Sequence, residues 1–236
     1  MRLLAIETST EVMSLAVQHF DQVWEHTGVG GAQTSSQLLP QIRALMDQAG
    51  LRFEALDAIA FGRGPGSFTG LRTACAVAQG LGFASGVQLL PVDTLLALAH
   101  TARERTGAAR VLALLDARMD EVYAAYYEFY SFSRSQSAGY QLISPEKLSV
   151  PPAQVVVGNV FATYAARLPA ALRALPQVQA TPSARAMLGL APGLIAQGAL
   201  VDAAHALPLY LRDKVAQTTQ ERADAKMQSA LPSPSP

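Results

Sequence analysis

The chain has 236 residues, half of them hydrophobic, and its 18 basic and 18 acidic residues cancel to a formal charge of zero. That balance excludes a bulk electrostatic attraction for nucleic acid or an anionic membrane, so any RNA contact has to be local or supplied by a partner. The single cysteine, Cys75, excludes an internal disulfide framework and suits a reducing compartment. No apolar stretch reaches the roughly 18 residues needed to span a bilayer, and Met1 to Ile6 lacks a long apolar signal segment, so the expected location is the cytoplasm.

In chain order, Leu3 to Ile6 is a short apolar run closed by Glu7-Thr8-Ser9-Thr10. Met13, Leu15 and Val17 then alternate with polar or small residues at the period of a half-buried strand, and Val23-Trp24 offers a third strand before the glycines from Gly28 to Gly31. The period next becomes helical: Leu38, Leu39, Ile42, Leu45, Met46 and Ala49 recur on one face, with Thr34, Ser35 and Ser36 as candidate caps and Gly50 as the stop. Pro40 near the start should cost at most one backbone bond and a kink. Leu56 to Phe61 reads as a buried strand, Leu71 to Ala84 as a helix rich in small residues, Val87 to Val92 as a strand, and Asp93 or Thr94 caps a helix through Ala99. The first hundred residues therefore read β-β-β-α-β-α-β-α, an antiparallel meander followed by βαβ units, which implies a mixed sheet with helices on its faces.

Val111 to Leu115 and the aromatic stretch Glu121 to Tyr130 read as a hairpin, Val155 to Gly158 as a strand, and Pro182 to Leu190 and Leu194 to Leu200 as helices, as if the architecture repeats in weaker form. From Gln217 onward apolar content falls toward Leu-Pro-Ser-Pro-Ser-Pro, so residues 217–236 are expected to be a disordered tail.

The most informative stretch runs from Phe61 to Arg72, where Gly62, Gly64, Pro65, Gly66 and Gly70 crowd a strand-to-helix junction. Glycines allow close backbone approach, and the first amides of a helix point outward unpaired, so such a junction can cradle a phosphate. The loop lacks the Gly-Lys-Ser/Thr ending of a P-loop, and Thr69 stands where a dinucleotide fingerprint needs a third glycine. A glycine-rich turn that packs a helix closely on a sheet remains the alternative.

Leu4 to Thr10, Asp57 to Arg72, Asp116 to Tyr123 and Leu207-Pro208-Leu209-Tyr210-Leu211-Arg212-Asp213-Lys214 together resemble the TsaB (YeaZ) family, and the resemblance covers most of the chain. It implies an α/β fold of two ribonuclease-H-like lobes of the actin and Hsp70 (ASKHA) superfamily, the second lobe degenerate, with boundaries expected at 1–106 and 107–216. It also implies a role in threonylcarbamoyl (t6A) modification of the adenosine beside the anticodon in tRNAs reading codons that begin with A. The partners it implies are the paralogous ligase TsaD in a heterodimer and the ATPase TsaE, with a homodimer in isolation, while TsaC makes the adenylate that TsaD uses. Two positions depart from the family pattern: Glu7 replaces the usual aspartate, and Ser35-Ser36-Gln37 replaces a histidine before the first helix.

What is missing argues against chemistry by this chain. The resembled catalytic paralogue carries a His-x-x-x-His pair whose positions here hold Thr94 and Leu98, and leucine cannot coordinate a metal. His19, His26, His100 and His205 form no recognisable ligand pair, so neither a metal nor any other cofactor is expected. Gly158-Asn159 and Gly189 to Gly193 are weak candidates for the second phosphate loop that an ATPase of this superfamily needs. Half of a nucleotide clamp is expected at Glu7, Thr8, Ser9, Gly64, Gly66 and Ser67, either retained without turnover or able to bind loosely. Asp116, Arg118, Asp120 and Glu121 read as a solvated hairpin turn, and Cys75 as a small buried hydrophobe.

What remains is binding. The stripe Leu38, Leu39, Ile42 and Met46 and the helix face Arg72, Cys75, Ala76, Ala78 and Gln79 are the expected partner interface, helix against helix with an equivalent pair on another chain. Burial of these stripes in the chain's own core is the competing reading. Tested against this scaffold role are an independent ATP-dependent phosphotransferase, which would need a catalytic aspartate and a second phosphate loop, and a metalloprotease-like enzyme, which would need a metal.

Overall fold

The computed structural model describes residues 1–31, 34–131 and 134–212. The tail expected from residue 217 lies outside them. Two five-stranded mixed sheets carry the fold. The first is built from β1 (Arg2–Glu7), β2 (Val12–His19), β3 (Gln22–Val29), β4 (Ala58–Gly64) and β5 (Leu89–Asp93), in the order β3-β2-β1-β4-β5. The second is built from β6 (Arg110–Arg118), β7 (Glu121–Ser131), β8 (Arg134–Ile143), β9 (Val155–Gly158) and β10 (Gln177–Gln179), in the order β8-β7-β6-β9-β10. In each sheet the first three strands form an antiparallel meander and the last two join in parallel, so the same topology occurs twice. These are the two ribonuclease-H-like lobes, and the weaker repeat anticipated in the sequence is a full topological one.

The helices are α1 (Thr34–Gln48), α2 (Phe68–Ser85), α3 (Thr94–Thr106), α4 (Phe161–Tyr164), α5 (Ala170–Arg173) and α6 (Ala184–Ala196). The order through α3 is the one expected. Degeneracy of the second lobe is visible in its helices: where the first lobe has α1 and α2, the second has a single turn at Pro145–Lys147 and the four-residue helices α4 and α5.

Strand β1 shows why its sequence is apolar without alternation. Leu3 and Ala5 face one side with Ala58, Ala60, Leu90 and Val92, and this side packs with α3, α6 and the second sheet. Leu4 and Ile6 face the other side with Leu15, Ile59 and Phe61, against α1 and α2. A strand covered on both faces has no polar side to show. Small residues at Ala5, Ala58 and Ala60 leave room for helices between the sheets. A third cluster, with Leu112, Leu114, Val156, Leu168 and Leu172, covers the far face of the second sheet. Among the described residues no helix is long and apolar enough to cross a membrane.

Several elements differ from the sequence reading. The region read as two helices at 182–190 and 194–200 is one helix, α6, which runs through Pro192 with that residue exposed and ends at Ala196. Strand β3 reaches Val29, well past Trp24. Strand β8 was not anticipated because its serine-, glutamine- and glycine-bearing sequence has low strand propensity, and as an edge strand it needs pairing on one side only. Helix α1 continues through Pro40 to Gln48, as expected for a proline that forgoes one backbone bond.

Candidate functional site

The C-terminal end of β4 runs directly into the glycine loop, which sits against the turn between β1 and β2. Ser67 N–H donates to the Ser9 carbonyl (2.8 Å), and the Thr8 hydroxyl donates to the Gly70 carbonyl (2.7 Å). A Cβ at Gly66 would collide with Ser9, and one at Gly70 with the Thr8 carbonyl, so the glycines serve this close approach of two backbones. Ser67 caps α2, its hydroxyl accepting from Gly70 N–H at 3.5 Å. Loop and turn thus use part of their polar complement on each other.

Glu7 is 1% exposed, one carboxylate oxygen accepting from Ser9 N–H (2.6 Å) and the other having no hydrogen-bond partner among the described residues. Burial pushes its carboxyl above the ordinary range, opposed by the bonds to Ser9 and Thr8. The second oxygen lies against Gly62, where a Cβ would overlap it.

Beyond the loop lies a cleft of about 360 Å³ between the two sheets, at the carboxyl ends of β1 and β4 where open α/β sheets place their ligands. Ser9, Thr10, Glu11, Gly66, Ser67 and Phe68 form one wall, and Asp116, Ala117, Arg118, Met119 and Asn159 form the other. Of the six residues expected for a phosphate clamp, Ser9, Gly66 and Ser67 reach this cleft. Glu7 is buried behind it, Thr8 is tied to Gly70, and Gly64 (φ 121°) lies beneath the Leu209 carbonyl.

The second wall was missed. It is the β6–β7 turn, which occupies in the second sheet the place the β1–β2 turn occupies in the first. Arg118, Met119 and Asp120 hold consecutive left-handed conformations (φ 62°, 55° and 60°) although none is glycine. Asp116 accepts from Arg118 N–H (2.8 Å) and the Tyr164 hydroxyl (3.0 Å), while Asp116 N–H donates to the Asn159 side chain (2.9 Å). Arg118 reaches across to pair with Glu11. The cleft carboxylates and cations are therefore largely bonded to one another, and among the described residues its lining holds no histidine, cysteine or lysine. Among the described residues no group of three or more metal-ligating side chains comes together; Thr94 and Leu98 are both buried.

A further, half-buried polar link joins the lobes. Arg63 on β4 pairs with Asp93 at 2.5 Å, and the other oxygen of Asp93 accepts from the Tyr140 hydroxyl on β8. Burial first, and then the Asp93 charge, hold the Tyr140 hydroxyl well above its ordinary value, so it stays protonated as a donor.

The helix residues expected at an interface divide sharply. Leu38, Ile42, Met46, Cys75 and Ala78 are at most 4% exposed and belong to the core under α1 and α2. On the outer side, Leu39 is 45% exposed, Arg72 and Ala76 are exposed, and Gln79 is half-buried. Gly80, one of the small residues of this helix, and Phe83, 68% exposed and not picked out in the sequence, continue that outer face one and two turns on. The 3.6-residue period alone would have separated 72, 76, 80 and 83 from 74, 75 and 78.

A family model described as TsaD, tRNA N6-adenosine threonylcarbamoyltransferase, matches residues 26–230. The chain is 32% identical over 223 residues to the tRNA threonylcarbamoyladenosine biosynthesis protein TsaB of Escherichia coli, covering 92% of this chain and 96% of that one. It is 34% identical over 227 residues to the TsaB protein of Haemophilus influenzae, covering 90% and 94%. Among solved structures, YeaZ from Pseudomonas aeruginosa superposes with a TM-score of 0.81 at 40% identity over 89% of this chain and 99% of that one. With near-complete coverage on both sides and the two-lobed topology in place, the chain belongs to the TsaB (YeaZ) family of tRNA threonylcarbamoyladenosine biosynthesis proteins.

Proposed function

We propose that this protein is a non-catalytic subunit in cytoplasmic tRNA threonylcarbamoylation, one that binds and activates a TsaD-like ligase together with a TsaE-like ATPase. The observation that carries this reading is the outer face of α2. Its inner face already fills the core, yet Ala76, Gly80 and Phe83 remain on the surface of α2, and Leu39 on that of α1, the helix packed against it. Small residues on an exposed helix let a second helix approach closely, and Phe83 supplies an anchor of the kind that dominates interfaces. The same face would serve a homodimer in isolation. The zero formal charge supports a contact with tRNA that runs through the partner.

Support for the non-catalytic part comes from the cleft, where Ser67 is a helix cap, Thr8 and Ser9 are tied to the glycine loop, and Asp116 is held by Tyr164 and Arg118. A phosphotransferase needs a free base at such a place, and a metalloprotease needs ligands. The test is threonylcarbamoyl transfer to tRNA from ATP, bicarbonate and threonine, reconstituted with the adenylate-forming enzyme, the ligase and the TsaE-like ATPase. Transfer is expected only when ligase and this chain are both present; equal transfer in its absence would overturn the reading.

A further inference from the structure

Residues Leu207–Arg212 have no regular secondary structure and cross from the first lobe to the second over the cleft, whose lining includes Leu209, Tyr210, Leu211 and Arg212. The crossing begins beside α2, where the Gln79 side chain donates to the Ala206 carbonyl (3.0 Å). It passes the glycine loop, where Leu209 N–H donates to the Arg63 carbonyl (2.6 Å). There Tyr210 stacks on Phe68 at 4.9 Å and accepts from Arg72 Nε (3.0 Å). It ends on the β6–β7 turn, where the Arg212 guanidinium donates to the carbonyls of Ala117 (3.1 Å) and Arg118 (3.4 Å), pairs with Glu121 (2.8 Å) and lies against the Met119 sulfur.

The hold is uneven. Leu207 is 69% and Tyr210 41% exposed, Pro208 and Leu209 are half-buried, and Leu211 alone packs against the core between the sheets, so no side chain of the strap between Ala206 and Arg212 is fully buried. Segments with few buried contacts and few backbone bonds open locally at low cost. By contrast the Arg212 side chain is 15% exposed and makes charge-assisted bonds, which are about twice as strong as neutral ones. Its two carbonyl acceptors belong to the turn whose non-glycine residues hold left-handed conformations, and such strain persists only where surrounding contacts enforce it.

We propose that Leu207–Arg212 is a built-in lid on the interlobe cleft, latched to the second lobe by Arg212 and released as a unit when that latch is undone. The cleft below falls within the range of small-molecule sites, about 300–1,000 Å³, so the chain itself occupies the mouth through which a ligand would enter. Release would be local, because the apolar core between the sheets continues from one lobe to the other and resists rotation of the lobes.

The test is amide hydrogen exchange on the full chain, comparing the native protein with Arg212→Ala, Arg212→Lys and Glu121→Gln. In Arg212→Ala, exchange at Leu209, whose N–H is bonded to the Arg63 carbonyl, and at residues 116–121 is expected to quicken by at least about tenfold, with Leu3 to Ile6 and Ile59 to Phe61 unchanged. Arg212→Lys and Glu121→Gln should fall between the two. Unchanged exchange of the strap in Arg212→Ala, or equal acceleration in β1 and β4, would overturn the proposal. Should Arg212→Ala fail to fold, Glu121→Gln carries the test alone, since it leaves the strap intact, and unchanged strap exchange there overturns the proposal equally.

Discussion

Ala76 and Ala78 lie two residues apart on α2, and the structure predicts opposite fates for the same substitution. Both were expected at the partner interface, but Ala78 is 0% exposed in the cluster with Ile59, Phe61 and Leu89. A glutamate there would bury an unpaired carboxylate, at a cost on the order of 3–5 kcal/mol. For a chain of this length about 1 kcal/mol moves the melting temperature by about 2–4 °C, so Ala78→Glu should melt roughly 6–20 °C lower. Ala76 is exposed, and a surface substitution on a helix costs about 0.5 kcal/mol or less, so Ala76→Glu should melt within about 2 °C of the native protein. Thermal unfolding followed by circular dichroism measures both, and size-exclusion chromatography with and without the ligase reads association. Ala76→Glu is expected to lose the partner while staying folded. Equal melting temperatures for the two variants would refute the assignment of inner and outer faces, and retained association of Ala76→Glu would move the interface off α2.

Two further outcomes follow from the glycine loop and its neighbours. Helix α2 contains glycines with opposite surroundings: Gly80→Ala meets open space and should stabilise by about 0.5–1 kcal/mol, whereas Gly70→Ala drives a methyl into the Thr8 carbonyl and should destabilise by about 1–3 kcal/mol. Urea midpoints should move in opposite directions, and a shared sign would refute the close contact of turn and loop. Burial raises the Glu7 carboxyl above its ordinary 4.5, so the folded state binds the proton more tightly than the unfolded one, and stability falls as pH rises from about 4.5 through the folded value. Glu7→Gln should remove that dependence, which for one proton has a slope of at most about 1.4 kcal/mol per pH unit, and its advantage over the native protein should grow with pH and then level off. Parallel stability–pH curves for the two proteins would show that Glu7 ionises as freely folded as unfolded.

The first lobe was legible because its elements obey local rules. Apart from β3, its strands are short apolar or alternating runs bounded by turns, α2 starts at a serine cap, and α2 and α3 stop at Gly86 and Gly107 in the left-handed conformation. The second lobe was less so for identifiable reasons. Strand β8 is an edge strand whose first half is arginine, serine, glutamine and alanine, β10 spans three residues, and α4 and α5 are single turns too short for any helical period to show. Face assignment failed where a stripe was taken whole. Residues 75, 76 and 78 share a helix but not a side of it, and only the angle between them separates core from surface.

The site was half legible for a related reason. A glycine-rich loop announces itself because close backbone approach restricts the residue type, whereas the opposite wall does its work with ordinary residues. Arg118, Met119 and Asp120 hold left-handed conformations without glycine, and Arg212 acts from a segment 94 residues away from Arg118. No local pattern encodes either. What does encode the wall is the repeat itself. Once Val111 to Leu115 and Glu121 to Tyr130 are read as the first hairpin of a second lobe, their turn must stand where Thr8 to Glu11 stands in the first. Two sheets of identical order, packed through α3 and α6, then bring the two turns face to face across one cleft. The charged turn at 116–121 is therefore positioned by topology, and its residues follow from the fold class more directly than from their own spacing.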